Sequence, residues 1–129
     1  MSSADRLTLE WLSGRYAVCR LEADAPVPAW GLDSTRFISI TRTDQELSIV
    51  CDESIVPAEV KSQKGFAAMR IVGQVDMASI GIFARLTTAL AEVRVPVLVV
   101  STYDTDYLMV CEKLKETAHR ALAGVATFR

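Results

Sequence analysis

Two spacings of hydrophobic residues alternate along the second half of the chain. Phe66 to Val72 reads FAAMRIV, a short apolar run that predicts a strand. Phe83, Leu86, Leu90 and Val93 then recur at intervals of three and four, one stripe of an amphipathic helix over 80–93. Asp76 or Ser79 is placed to cap its first turn. Pro96 to Ser101, PVLVVS, is rich in β-branched residues and predicts a strand buried on both faces. Thr102 to Thr105 predicts a turn, and Asp106 to Cys111 the returning arm of a hairpin. A helix over 112–123 follows, with Leu114, Ala118, Ala121 and Leu122 inward and Lys113, Lys115, Glu116 and Arg120 outward. Gly124 ends it, and Val125 to Phe128 can add a last strand.

The first half carries a shorter version of this pattern. Residues 15–21, 36–42 and 46–51 read as strands. The first crossover, Glu22 to Thr35, contains Pro26 and Pro28, and the second is interrupted by Pro57, so any helix there is short. Trp30 is placed to plug a small core. Two matches tie the halves together. YAVCRL at 16–21 lies on FAAMRI at 66–71, an offset of 50. ITRTDQELSIVC at 40–51 lies on VSTYDTDYLMVC at 100–111, an offset of 60, which sets Asp44 on Asp104. Two matches in the same order predict a tandem duplication. The expected modules are 1–62 and 63–129, with the first reduced. The fold class is α+β: ferredoxin-like βαββαβ units, antiparallel sheets with helices on one face. Leu7 to Trp11 alternates as an additional strand. Halves of this size are marginal alone, which implies a shared core.

Composition narrows the function. The chain has 129 residues, half of them hydrophobic, and a formal net charge of -2. That hydrophobic share excludes a disordered chain. The charge argues against nucleic acid as a partner, because such binding neutralises phosphates with Lys and Arg. No apolar stretch approaches a membrane span, and Met1 to Glu10 lacks the features of a signal peptide. Cys19, Cys51 and Cys111 are odd in number and unpaired in spacing, which suits free thiols in the cytoplasm.

Catalytic chemistry finds little to stand on. The single histidine, His119, is expected to face solvent, and no local signature pairs it with a cysteine. Gly73 and Gly81 are too far apart for a phosphate loop or a dinucleotide fingerprint. Asp104 and Asp106 lack the Gly and the downstream Glu of a calcium loop. No catalytic residue, metal ligand or cofactor is assigned.

The stretches YAVCRL, TRTDQELSIVC, VGQVDMASIGIFARLTTALAEV at 72–93 and VSTYDTDYLMV at 100–110 resemble small bacterial proteins that carry two ACT modules in tandem. Those are related to the ACT regions of aspartate kinases and to the arginine sensors called CASTOR. The resemblance implies a regulatory protein without activity of its own that binds a small molecule, usually an amino acid, between modules. The implied site is the loop Gln74, Val75, Asp76, Met77, Ala78, Ser79, Ile80 and Gly81, with Ser101, Thr102, Tyr103 and Asp104. A helix N-terminus there favours a carboxylate, Gly81 leaves room for a ligand or strand to approach, and Asp104 with Asp106 can pair a cationic group. Each residue has an ordinary reading too: Asp76 and Ser79 as caps, the aspartates as turn formers, Tyr103 and Tyr107 as cover for a sheet face or dimer contact. Expected partners are the ligand, a second copy of the chain and an effector protein. The alternative is an interaction module that keeps the fold and binds no ligand.

Overall fold

The computed structural model describes residues 7–73 and 81–129. Its strands are β1 (Leu7–Trp11), β2 (Tyr16–Leu21), β3 (Ile38–Arg42), β4 (Leu47–Asp52), β5 (Lys61–Ile71), β6 (Leu98–Ser101), β7 (Asp106–Cys111) and β8 (Ala126–Phe128). The helices are α1 (Ile82–Glu92) and α2 (Lys115–Ala123), and short 3-10 turns occupy Ala29–Asp33, Glu53–Ile55 and Glu112–Leu114. The fold is thus mixed α+β.

Contacts divide the chain into two units, Gly14–Phe66 and a discontinuous one of Met1–Ser13 with Ala67–Arg129. The division follows strand pairing. Residues Lys61, Ser62, Gln63 and Phe66 of β5 pair with β2, while Met69, Arg70 and Ile71 pair with β1. A boundary at residue 62 therefore falls inside β5, and the N-terminal strand counts with the later residues.

In the Gly14–Phe66 unit the strand order is β3-β4-β2-β5, with β4 antiparallel to both β2 and β3. Alternation along β4 points Leu47, Ile49 and Cys51 inward. They join Ala17, Cys19 and Val56 as buried residues. Trp30, Ile55 and Val60 pack against this cluster. No α-helix forms in this unit among the described residues; the prolines leave room only for 3-10 turns.

In the other unit the order is β6-β7-β5-β1-β8. The element sequence β5-α1-β6-β7-α2-β8 is the βαββαβ pattern expected there. β1 is inserted beside β5, antiparallel to it and parallel to β8. Its Leu7, Leu9 and Trp11 share one side, as period-two alternation requires, and all three contribute to the core. That core is built on Leu9, Met69, Ile71, Leu86, Leu90 and Leu122. Phe83 joins it from the side, whereas Val93, past the last turn of α1, is 40% exposed.

Two expectations change here. β6 is not buried on both faces: among the described residues it pairs only with β7, and Leu98 and Val99 are exposed. A β-branched run reports strand propensity and says nothing of how many neighbours the strand receives. The offset between the hairpins also changes. Thr43 N–H donates to Glu46 O at 2.9 Å, and Glu46 N–H donates to Thr43 Oγ1 at 3.1 Å. Thr102 and Thr105 repeat this figure at 2.8 and 3.3 Å. The threonine turns therefore superpose at an offset of 59, which sets Asp44 on Tyr103 and not on Asp104.

Candidate functional site

Seven of the twelve expected ligand-binding residues, Gln74, Val75, Asp76, Met77, Ala78, Ser79 and Ile80, lie outside the described residues. Gly81 is the N-cap of α1, at φ 91° and with no side-chain cap bond. A Cβ there would meet nothing within 4 Å. Glycine suits the left-handed backbone that starts the helix. The start of α1 carries the terminal N–H groups and positive dipole end of any helix start.

The β6–β7 hairpin carries the other four. Ser101 and Asp106 face each other across the ladder, and Ser101 Oγ–H donates to Asp106 Oδ1. Asp106 thus spends an oxygen on the hairpin, while Asp104 stands exposed in the turn. Thr102 forms the turn itself. Tyr103 is 98% exposed at its tip and covers no sheet face within the chain. Thr105, one residue from Asp104, is buried, and its Oγ1–H donates to Ile71 O at 2.8 Å. This anchors the tip of the hairpin to the end of β5.

A second group of polar residues collects where β1 meets α2. Trp11 Nε1–H donates to His119 Nδ1 at 3.0 Å. His119 stacks on Phe128 with ring centroids 3.9 Å apart, and Phe128 lies parallel to Trp11 at 6.2 Å. His119 is therefore held in a half-buried aromatic stack and does not simply face solvent. The i,i+4 pattern of α2 placed it correctly on the helix, but only β1, more than a hundred residues away in sequence, supplies its partner. Above the stack, Lys115 Nζ sits 5.0 Å from the Trp11 ring centroid. A cavity of about 460 Å³ opens here, lined by Trp11, Glu112, Lys113, Lys115, Glu116 and His119. Below it, Glu10 receives Arg70 at 3.0 Å and Arg129 at 2.8 Å. These two guanidiniums, Arg129 first, hold the Glu10 carboxyl below its usual range.

Two of the three thiols are poorly placed as nucleophiles. Cys19 and Cys51 are buried, and burial pushes the Cys51 thiol up to about 12. Cys111 is half-buried and free. Among the described residues no group of three or more His, Cys, Asp or Glu could hold a metal. In the Gly14–Phe66 unit Asp52 is 4% exposed. Its Oδ2 accepts from Thr35 N–H at 3.1 Å, and its own N–H donates to Ser34 Oγ at 3.0 Å. These bonds fasten the connection before β3 to the end of β4. Arg20 and Arg70 both sit on strands as expected. Arg20 is exposed and pairs with Glu22 at 3.5 Å.

With this geometry in place, comparison with known proteins identifies the class. Residues 61–124 match the family model of the ACT domain, and residues 14–59 match a separate model described as an N-terminal domain. Residues 61–124 thus belong to the ACT domain family. Among solved structures it is similar to protein Atu0741 from Agrobacterium tumefaciens, at 34% identity and a TM-score of 0.90, over 96% of this chain and 92% of that one. Protein VC0802 from Vibrio cholerae, described as of unknown function and a possible transport protein, is 21% identical with a TM-score of 0.77, over 95% and 92%. The ligand-free regulatory subunit of aspartate kinase from Thermus thermophilus shares the fold at 13% identity, with a TM-score of 0.58 over 86% and 91%. No curated protein matches the chain. No described helix is long and apolar enough to cross a membrane.

Proposed function

We propose that the chain is a regulatory module without catalysis of its own, which binds an amino acid and passes its occupancy to another protein. The observation that carries this reading is the ACT domain match over 61–124. ACT modules stand in the regulatory subunit of aspartate kinase, whose fold this chain shares. The proposed site combines the loop 74–80 with Gly81 at the start of α1 and Ser101, Thr102, Tyr103 and Asp104 on the hairpin. The start of α1 supports a carboxylate there, since helix-terminal N–H groups and the helix dipole favour an anion. Exposed Asp104 supports an ammonium. Kinship with the arginine sensors, a tandem origin of the two units, a cytoplasmic location and a homodimer belong to the same reading. The paired threonine turns support the tandem origin.

A thermal-shift screen against the common amino acids tests it. A ligand that binds only the folded state stabilises by about 2.7 kcal/mol at a hundred times its Kd. One or a few amino acids are expected to raise Tm. Calorimetric titration of Asp104→Ala and Asp76→Ala should then show weakened binding. Unchanged affinity in both variants overturns the site. Silence across the panel overturns amino-acid sensing and favours the second reading, an interaction module. The exposed apolar residues Leu98 and Val99 on the edge strand β6 support that second reading.

A further inference from the structure

The cavity between β1 and the start of α2 is separate from the proposed loop site and shares no residue with it. Its wall is rigid. Trp11 is fixed by its hydrogen bond to His119 at 3.0 Å and by the parallel ring of Phe128 at 6.2 Å. Three aromatic rings held this way cannot rotate freely, so the exposed indole face is presented in one orientation. At about 460 Å³ the space suits a small molecule.

Four charged side chains surround this wall: Glu112 and Lys113 from the 3-10 turn, Lys115 and Glu116 from α2. Glu112, in the 3-10 turn, and Glu116, in α2, are four positions apart and both line the cavity. Among the described residues, none of the four enters an ion pair within 4.0 Å. Exposed pairs are worth about 1 kcal/mol or less, so leaving these charges unpaired costs little and keeps them available. The Lys115 ammonium instead rests 5.0 Å over the indole. The chain's own cation thereby marks the ring face as a place that takes a cation.

We propose that this cavity binds a small zwitterion. Its cationic nitrogen rests on the Trp11 ring between Glu112 and Glu116, displacing the Lys115 ammonium. Lys115, released, joins Lys113 on the carboxylate of the guest. One molecule then answers both signs of charge and the aromatic wall, which a simple cation or anion does not.

Trp11 and Trp30 are the only tryptophans, so Trp30→Phe leaves Trp11 as the sole reporter. Its emission is followed during titration with glycine betaine, free glycine, tetramethylammonium and acetate. Calorimetry on the unaltered chain gives the same test without the substitution. Saturable binding of glycine betaine or glycine is expected, weakened about tenfold by Glu112→Gln or Glu116→Gln, as for loss of one charged contact. Which of the two zwitterions binds tells whether the nitrogen is methylated. Lys115→Met should weaken the zwitterion yet strengthen tetramethylammonium, because the competing ammonium has left the ring. Asp104→Ala should leave the affinity reported by Trp11 emission unchanged, which separates this site from the loop site. The proposal is overturned if no zwitterion saturates the signal, or if tetramethylammonium or acetate alone binds as tightly. Unchanged affinity in both glutamate variants also overturns it.

Discussion

The hairpin of the Gly14–Phe66 unit and the hairpin of the other unit are closed by the same threonine bonds, yet what covers them differs. Over β6 and β7 the crossovers are long enough to form α1 and α2, whose Leu86, Leu90, Ala118 and Leu122 are buried in a core with β1, β5 and β7. Over β3 and β4 the crossovers contain Pro26, Pro28 and Pro57 and form only 3-10 turns. There Trp30 does by bulk what a helix does elsewhere by repetition. A strand pair tolerates either cover, because its backbone bonds are satisfied within the sheet and its inward face needs only apolar contact. The cover, more than the hairpin, decides how much apolar area each unit removes from water.

The largest expected effect tests that difference directly. Leu90 on α1 is fully buried, so Leu90→Ala should cost about 2–5 kcal/mol in urea unfolding. The same deletion at Leu21, half-buried beside the smaller core, should cost about 1 kcal/mol, since less area returns to water. Equal costs would break the comparison. The hairpin tips provide a finer test. Thr105 buries a hydroxyl that donates to Ile71 O, so Thr105→Val should cost about 0.5–1.5 kcal/mol. Its counterpart Glu46 offers its backbone to the turn, and Glu46→Gln should change stability by less than about 0.5 kcal/mol.

The smallest effect is on pH dependence. Arg129 and Arg70 lower the folded pKa of Glu10 from its ordinary 4.5. A depressed carboxylate contributes stability that is present above the unfolded value and lost as pH falls through the folded one. Acid titration from pH 4.5 downward should therefore destabilise the unaltered chain. Glu10→Gln should flatten that part of the curve and leave stability above it nearly independent of pH. An unaltered acid limb in Glu10→Gln would remove Glu10 from the account.

Much of the fold could be read from spacing alone. The strand Leu7–Trp11 has the bounds expected from its alternation, and β2, β3 and β4 begin and end within two residues of theirs. These elements are legible because each local pattern has one face to bury. The helix over 112–123 opens as a 3-10 turn and becomes α-helical only at Lys115. No side chain caps it there, so the periodicity located its face better than its start. The partners of Trp11 and His119 were not legible at all. They are 108 positions apart, and no spacing rule connects them.

The alternation of apolar and polar residues by itself determined the strand and helix inventory, the two hairpins and the hydrophobic faces, because these depend on periods of two and 3.6 within a few residues. Only the tertiary structure decided that β1 enters the later unit, that β6 remains an edge and that the threonine turns correspond at 59. It alone brought an indole, an imidazole and four charged side chains around one cavity. Which strand neighbours which, and which side chains share a pocket, is set by packing between distant segments, and no local period encodes it.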